Sequence, residues 1–337
     1  VPDLSSLTTL RVGGPAAEYV EATTEAELVA AVSEADAAGT PVLVVGGGSN
    51  LLVADAGFDG RVVAVRTSGV VFDADACGGA VVRVAAGEPW DDLVQRAVTE
   101  GWLGIEALSG IPGQAGSTPI QNVGAYGQEV AGTVASVRCW DRQTGAVHTL
   151  FARDCRFGYR TSRLKQEPGR FVVLEVVFQF RLGDLGAAVG YAELADRLGV
   201  SVGERAPAAE VREAVLELRR GKGMVLDPAD HDTWSAGSFF TNPVVPAAQV
   251  PEGAPAWPQE DGAVKTSAAW LIEHAGFGRG YGGATAALSG KHTLALTNRG
   301  GATASELVAL AREVRDGVRS SFRIELVNEP VLVGLEL

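Results

Sequence analysis

Five short stretches of the chain carry residue types whose spacing suits chemistry. The first is Val44-Val45-Gly46-Gly47-Gly48-Ser49-Asn50-Leu51-Leu52. A strand running into three glycines lets successive backbone N–H groups point into one concavity, a nest that suits a pyrophosphate. It lacks GxGxxG spacing, and Leu51–Asp55 reads as extended chain rather than helix, which excludes a dinucleotide fold of that kind. No Gly-Lys-Ser/Thr follows, which excludes a P-loop; a plain glycine hairpin is the competing reading. The second stretch, Ser109 to Gly127, holds five glycines and two prolines in 19 residues. Such a composition forms no regular helix or strand interior, yet it is too apolar for a solvated linker. It reads as a rigid, irregular wall that a planar cofactor could approach closely, against the alternative of an ordinary surface loop.

The other three stretches offer side-chain chemistry. In Cys155-Arg-Phe-Gly-Tyr-Arg-Thr-Ser162, Tyr159 stands beside Arg160, whose planar guanidinium can grip a carboxylate with two prongs. A solvated loop arginine is the plain alternative. In Ala236-Gly-Ser-Phe-Phe-Thr-Asn-Pro243, Ser238 precedes two phenylalanines that would keep its hydroxyl partly dry. It lacks the GxSxG elbow and a His/Asp pair, which disfavours a nucleophile and leaves a proton donor or a turn serine. Glu329, in Val-Asn-Glu-Pro-Val, would by itself be an exposed turn carboxylate.

Elements must hold these stretches in place. Thr24-Glu25-Ala26-Glu27 is a capping box opening a helix that Gly39 stops, and Pro41–Val45 is a buried strand. Arg61–Val65 and Ala80–Ala86 are β-rich and joined by Gly/Asp turns, and Asp91–Glu100 is a helix. Strands are expected at Val134–Asp141, Ala146–Phe151 and Phe171–Arg181, then helix at Ala209–Arg220. The five prolines from Pro243 to Pro258 suggest a loop or boundary. A short helix at Ser267–Ala275, a strand at Thr293–Thr297 and a second capping box at Thr303–Glu306 follow. The last strands fall near Arg323–Leu326 and Pro330–Leu335. Strands and helices mix without strict βαβ alternation, which favours α+β.

Composition bounds the function. The 337 residues suggest two or three domains, and 46% apolar content supplies a core. With 28 Lys+Arg against 41 Asp+Glu, the net charge of −13 opposes non-specific nucleic-acid binding. Three cysteines (77, 139, 155) without CxxC spacing and four histidines (148, 231, 274, 292) without HExxH give no metal site. No run of apolar residues is long enough to span a membrane, and the start lacks the pattern of a signal peptide, so a cytoplasmic chain is expected.

Taken in order, these motifs resemble the UDP-N-acetylenolpyruvoylglucosamine reductases, from Thr9-Leu-Arg-Val-Gly-Gly14 to Glu329-Pro-Val-Leu-Val-Gly334. The resemblance implies an α+β fold: a two-part FAD-binding domain of the vanillyl-alcohol-oxidase type plus a C-terminal α+β substrate-binding domain. The parts would be 1–70, joined by 325–337, then 71–220, and 221–324. FAD would lie against Gly46, Gly47, Gly48, Ser49, Asn50 and Leu51, and against Pro112, Gly113, Gly116, Ser117, Asn122, Gly124, Ala125 and Tyr126. Arg160, Ser238 and Glu329 match the catalytic three. Ala187–Leu194, with Tyr191, resembles the tyrosine loop of the longer family branch, and Lys222 and Asn242 resemble its diphosphate contacts. Tyr159, Trp257 (where a relative carries tyrosine) and His292 complete the substrate set.

The implied reaction is NADPH-dependent and FAD-mediated, converting the enolpyruvyl ether of UDP-N-acetylglucosamine to UDP-N-acetylmuramate in bacterial peptidoglycan synthesis. Arg160 would stabilise charge developing on the substrate carboxylate. Glu329 would be protonated or paired with Arg160, and Ser238 would give a proton to carbon. NADPH would reduce the flavin in a prior half-reaction at the same site, which accounts for the missing Rossmann fingerprint. The implied enzyme is a monomer with a small-molecule substrate and no nucleic-acid or membrane partner. An FAD-linked oxidase of a hydroxy acid or sugar, or a non-catalytic flavin-binding module, are the rivals; Ser238 and Glu329 would have no reason in the oxidase.

Overall fold

The computed structural model describes residues 1–75, 77–259 and 261–337. The chain divides into two compact units, one of residues 17–47 and 59–221, the other of residues 1–16, 48–58 and 222–337. No helix among the described residues is long and apolar enough to cross a membrane.

In the first unit the strand Ala16–Ala22 leads to the helix Glu25–Ala38, and both halves of its capping box form. Thr24 Oγ1 accepts from the Glu27 amide at 3.2 Å, and Glu27 Oε2 accepts from the Thr24 amide at 3.2 Å. Gly39 ends the helix at φ 69°. Leu28, Val32 and Ala35 are buried on its inner face. Beside it lies a three-stranded sheet in the order Ala16–Ala22, Phe58–Val65, Val42–Val45, in which Val42–Val45 runs parallel to its neighbour.

A larger antiparallel sheet follows, in the order Ala146–Phe151, Val134–Asp141, Phe171–Leu182, Gly79–Ala85, Val70–Asp75. The β-rich segments expected at 61–65 and 80–86 belong to different sheets. Val70–Asp75, which the sequence reading passed over, lies between them in the chain and pairs with the second. Trp102 stacks on Phe180 and Phe180 on Phe178, with centroids 6.0 and 5.5 Å apart. These rings fill the core beneath the helix Trp90–Thr99. Helices Ala192–Leu198 and Ala208–Gly221 close a smaller core of Ala107, Val189, Leu194 and Val215.

In the second unit the long helix Ala304–Phe322 carries the second capping box and buries Leu307, Leu310, Ala311 and Val314. The proline-rich stretch is loop only in part. Val244–Pro246 and Ala256–Pro258 flank Ala263–Thr266 in an antiparallel sheet. Their prolines sit on the two outer strands, where a missing ladder donor is tolerated. The strand expected at 293–297 is shorter, Leu296–Asn298, and pairs with Ala286–Leu288. No strand forms at 323–326: Arg323 caps the long helix in the left-handed region, at φ 58°. Val331–Val333 runs parallel to Leu51–Val53, the extended chain expected after the glycines.

Candidate active site

Within the first unit, Gly46 and Gly47 continue the strand Val42–Val45 and meet the glycine-rich wall. A Cβ on Gly47 would stand 2.7 Å from the Gly113 Cα, and one on Gly46 would stand 2.8 Å from Gln114 Oε1. The wall is pinned from behind. Trp90 donates to the Gly113 carbonyl at 3.0 Å, and the Ala115 and Gly116 amides donate to the carbonyls of Glu88 (2.8 Å) and Ala86 (2.9 Å). Gly116 has no room for a side chain, since its Cβ would stand 2.5 Å from that of Ala86. Pro112 precedes Gly113, and Ser117 closes a 3₁₀ turn with Oγ donating to the Gln114 carbonyl at 2.7 Å.

The wall then turns through a tight hairpin, Gly124–Ala125 against Gln128–Glu129. Tyr126 and Gly127, at φ 48° and 87°, supply the two left-handed residues that a two-residue hairpin of this hand needs. Asn122, buried and at φ 49°, binds three ways. Its Nδ2 donates to Glu129 Oε2 (2.7 Å) and to the Gly158 carbonyl (3.0 Å), and its Oδ1 accepts from the Ala131 amide (3.1 Å). That second bond ties the wall to the turn carrying Tyr159 and Arg160. Arg160, itself at φ 53°, reaches back with Nη2 2.6 Å from the Gly124 carbonyl and Nη1 3.5 Å from that of Asn122. Its guanidinium lies 5.5 Å from the Tyr159 ring centroid. Three non-glycine residues of one neighbourhood thus hold left-handed backbone, a strain of ~1–3 kcal/mol each that only an over-determined site sustains. Tyr191, about half exposed, meets Tyr126 edge-on with centroids 6.1 Å apart, and from Ala192 onward its segment is helix.

The second unit gathers the remaining candidates. Gly48 takes φ 61° with its α-carbon against Leu7, where a Cβ would stand 1.8 Å from the carbonyl oxygen. Ser49 and Asn50 lead into Leu51–Val53. Asn50 Nδ2 donates to the Glu329 carbonyl at 3.3 Å, and the Asn50 carbonyl accepts from Val331 at 2.9 Å. The Glu329 amide donates to the Phe239 carbonyl at 2.8 Å, next in chain to Ser238. Ser238 and Glu329, 91 positions apart in the chain, therefore lie on adjoining irregular segments that an isolated bridge between Phe240 and Asn328 joins, both half-buried next to buried residues.

The substrate candidates of this unit are more scattered. Asn242 Oδ1 accepts from the Ala268 amide at 2.9 Å, which commits its oxygen to a helix start. His292 Nδ1 accepts from the Leu294 amide at 3.2 Å, so a neutral ring carries its proton on Nε2. Trp257 is 43% exposed on the outer strand Ala256–Pro258, with Lys265 Nζ 5.9 Å above its ring. Lys222, half-buried, follows the helix Ala208–Gly221.

Two further groups at the wall escaped the sequence reading. Gln114 donates from Nε2 to the Val65 carbonyl at 3.0 Å, while its Oε1 is buried beside Gly46 with no hydrogen-bond partner among the described residues. Arg219, on the helix Ala208–Gly221, lies near Arg160 and Tyr126; desolvation pulls its guanidinium down to about 10, with Tyr126 and Asp91 pushing the other way. Gln114 had a signal, an amide set between glycine and alanine in the glycine-rich segment; Arg219 had none, being one of two arginines ending a helix.

A buried acceptor awaiting a donor, and glycine backbones too close for any Cβ, fit a polyhydroxylated cofactor with a pyrophosphate and a flat ring. Residues 16–150 match the model of an FAD binding domain, and residues 227–333 match that of the C-terminal domain of UDP-N-acetylenolpyruvoylglucosamine reductase. The fold is thus that of a flavin-dependent oxidoreductase, an FAD-binding domain followed by an α+β C-terminal domain. The reductase from Cutibacterium acnes is 60% identical over 334 residues, covering 98% of this chain and 89% of that protein. The one from Streptomyces avermitilis is 55% identical, covering 99% and 94%. The crystal structure of the Thermus caldophilus enzyme superposes with a TM-score of 0.68 at 28% identity, covering 98% and 97%. The chain belongs to the UDP-N-acetylenolpyruvoylglucosamine reductase family.

Proposed function

We propose that this chain reduces the enolpyruvyl ether of UDP-N-acetylglucosamine to UDP-N-acetylmuramate for peptidoglycan synthesis, with NADPH as reductant and FAD as the bound carrier. The observation that carries the reading is the Glu329 amide bonded to the Phe239 carbonyl at 2.8 Å. It joins the backbone of Glu329 to the residue that follows Ser238, and an FAD-linked oxidase would have no need of that serine and that carboxyl group. When bound, FAD would supply the hydride-transfer chemistry that links NADPH to the substrate. Gly46–Leu51, Pro112, Gly113, Gly116, Ser117, Asn122, Gly124, Ala125 and Tyr126 would hold it.

The chain's own residues then do the following. Arg160, oriented by the Gly124 carbonyl, grips the substrate carboxylate and stabilises the charge that moves onto it. Ser238 Oγ donates a proton to the carbon bearing that carboxylate. Glu329 must carry a proton or face a cation, because an ionised carboxylate would repel the substrate. Tyr159, Tyr191, Lys222, Asn242, Trp257 and His292 bind the rest of the UDP-sugar, with Tyr191 on a loop of the family's longer branch. The boundary near residue 70 inside the flavin domain has the support of two separate sheets, and the return of 325–337 that of the Val331–Val333 pairing. A cytoplasmic monomer completes the reading. Anaerobic mixing tests it: NADPH should bleach the bound flavin, and the enolpyruvyl substrate should restore its colour. Fast reoxidation by oxygen without response to that substrate would turn the assignment to an oxidase.

A further inference from the structure

Glu106 is a glutamate with 1% exposure, lodged between Ile105 and Ala107 in an apolar run. A buried carboxylate is costly unless its lone pairs are filled, and here three donors fill them. Oε2 accepts from the Gly104 amide at 2.7 Å. Oε1 accepts from Gln128 Nε2 at 2.7 Å and from the Ala187 amide at 2.8 Å. Gln128 turns its own Oε1 to the Ala107 amide at 2.8 Å, which fixes the orientation of its side chain. All three donors belong to one unit of the fold. Gln128 ends the Tyr126–Gly127 hairpin, and Ala187 begins the segment that leads to Tyr191.

One carboxylate thus fastens the base of the Tyr191 segment to the base of the Tyr126 hairpin, below the edge-on contact of the two rings. Gly186 leaves it room, since a Cβ there would stand 2.7 Å from Oε1. We infer that Glu106 is the positioning residue for Tyr191, holding that side chain where the UDP-sugar substrate meets it. The inference rests on the proposed function, which makes Tyr191 a substrate contact.

The test uses the FAD-loaded full chain. Glu106→Gln keeps the shape but presents an NH₂ to at least one donor. Its KM for the enolpyruvyl substrate should rise ~10-fold, the weight of a bond to a charged acceptor, with flavin reduction by NADPH at the normal rate. Amide exchange across 184–191 should quicken. In that background Tyr191→Ala should add little, although it raises KM in the wild type. Gly186→Ala, which crowds the carboxylate without touching it chemically, should act in the same direction. Effects of Glu106→Gln and Tyr191→Ala that multiply, or an unchanged KM in both Glu106→Gln and Gly186→Ala, would overturn the inference. Were the wild type inert to the enolpyruvyl substrate, the functional reading would fall, and exchange at 184–191 would still decide whether Glu106 fastens this segment.

Discussion

Gly47→Ala adds one methyl group at the tightest backbone crossing of the glycine wall. Its Cβ would stand 2.7 Å from the Gly113 Cα and 3.2 Å from its carbonyl carbon, where ordinary contact begins at 3.4 Å. At least 3.4 − 2.7 = 0.7 Å must therefore open between two backbones. Neither can swing away as a side chain would. Gly113 sits at φ 123° and holds the amide of the fully buried Trp90, so the displacement spreads into the core. Over-packing of this kind costs ~1–3 kcal/mol. Shared with the cofactor site, that corresponds to a ~5–150-fold rise in the FAD dissociation constant. Thermal unfolding of the apoprotein and a flavin-fluorescence titration would measure both quantities. Gly132→Ala is the control: nothing lies within 4 Å of its Cβ, and its backbone is not left-handed, so a change within ~0.5 kcal/mol is expected. If Gly47→Ala matched Gly132→Ala in melting temperature and FAD affinity, the close approach would not be part of the site.

Arg160→Lys keeps the charge but loses the planar fork, and kcat/KM for the enolpyruvyl substrate should fall ~10-fold or more in steady-state assays. Ser238→Ala should still be reduced by NADPH at close to the normal rate, while its reoxidation by substrate slows ~10²–10⁴-fold in stopped-flow traces. Equal slowing of both halves would make Ser238 a packing residue. Hydrogen bonds from Arg170 hold the Asp141 carboxyl down to about 2, against 3.8 for an ordinary aspartate. A depressed folded-state value means this stabilisation is present above about pH 4 and lost as the pH falls toward 2. Asp141→Asn should accordingly weaken the protein at pH 7 and hardly at pH 2, as read from urea unfolding at the two pH values.

Local chemistry was legible where the sequence itself supplied both partners. Thr24 and Glu27, or Thr303 and Glu306, sit three residues apart and cap each other in the structure as their spacing demands. The proline-rich stretch misled in part because proline forbids only the inner positions of a sheet, and Pro246 and Pro258 ride on outer strands while Pro243, Pro251 and Pro255 lie outside them. Gly46, Gly47 and Gly48 read alike in the sequence, and the structure gives each a packing need of its own: the Gln114 side chain, the Gly113 backbone, and a left-handed turn against Leu7. Long-range pairings left no trace in composition or period. Nothing in the residues around Ser238 says that the segment of Glu329 will bond to Phe239, and nothing around Glu106 announces Ala187.

The parallel pairing of Leu51–Val53 with Val331–Val333 has a consequence for biosynthesis. Ribosomes add ~5–20 residues per second, so the earlier strand emerges on the order of tens of seconds before its partner exists. During that interval residues 59–221 are complete and free to fold, while Leu52 and Val53, buried in the finished protein, remain an unpaired apolar edge in the nascent chain. The strand that shields it, Val331–Val333, follows about 280 residues later, which makes the waiting time between them a period of exposure to aggregation.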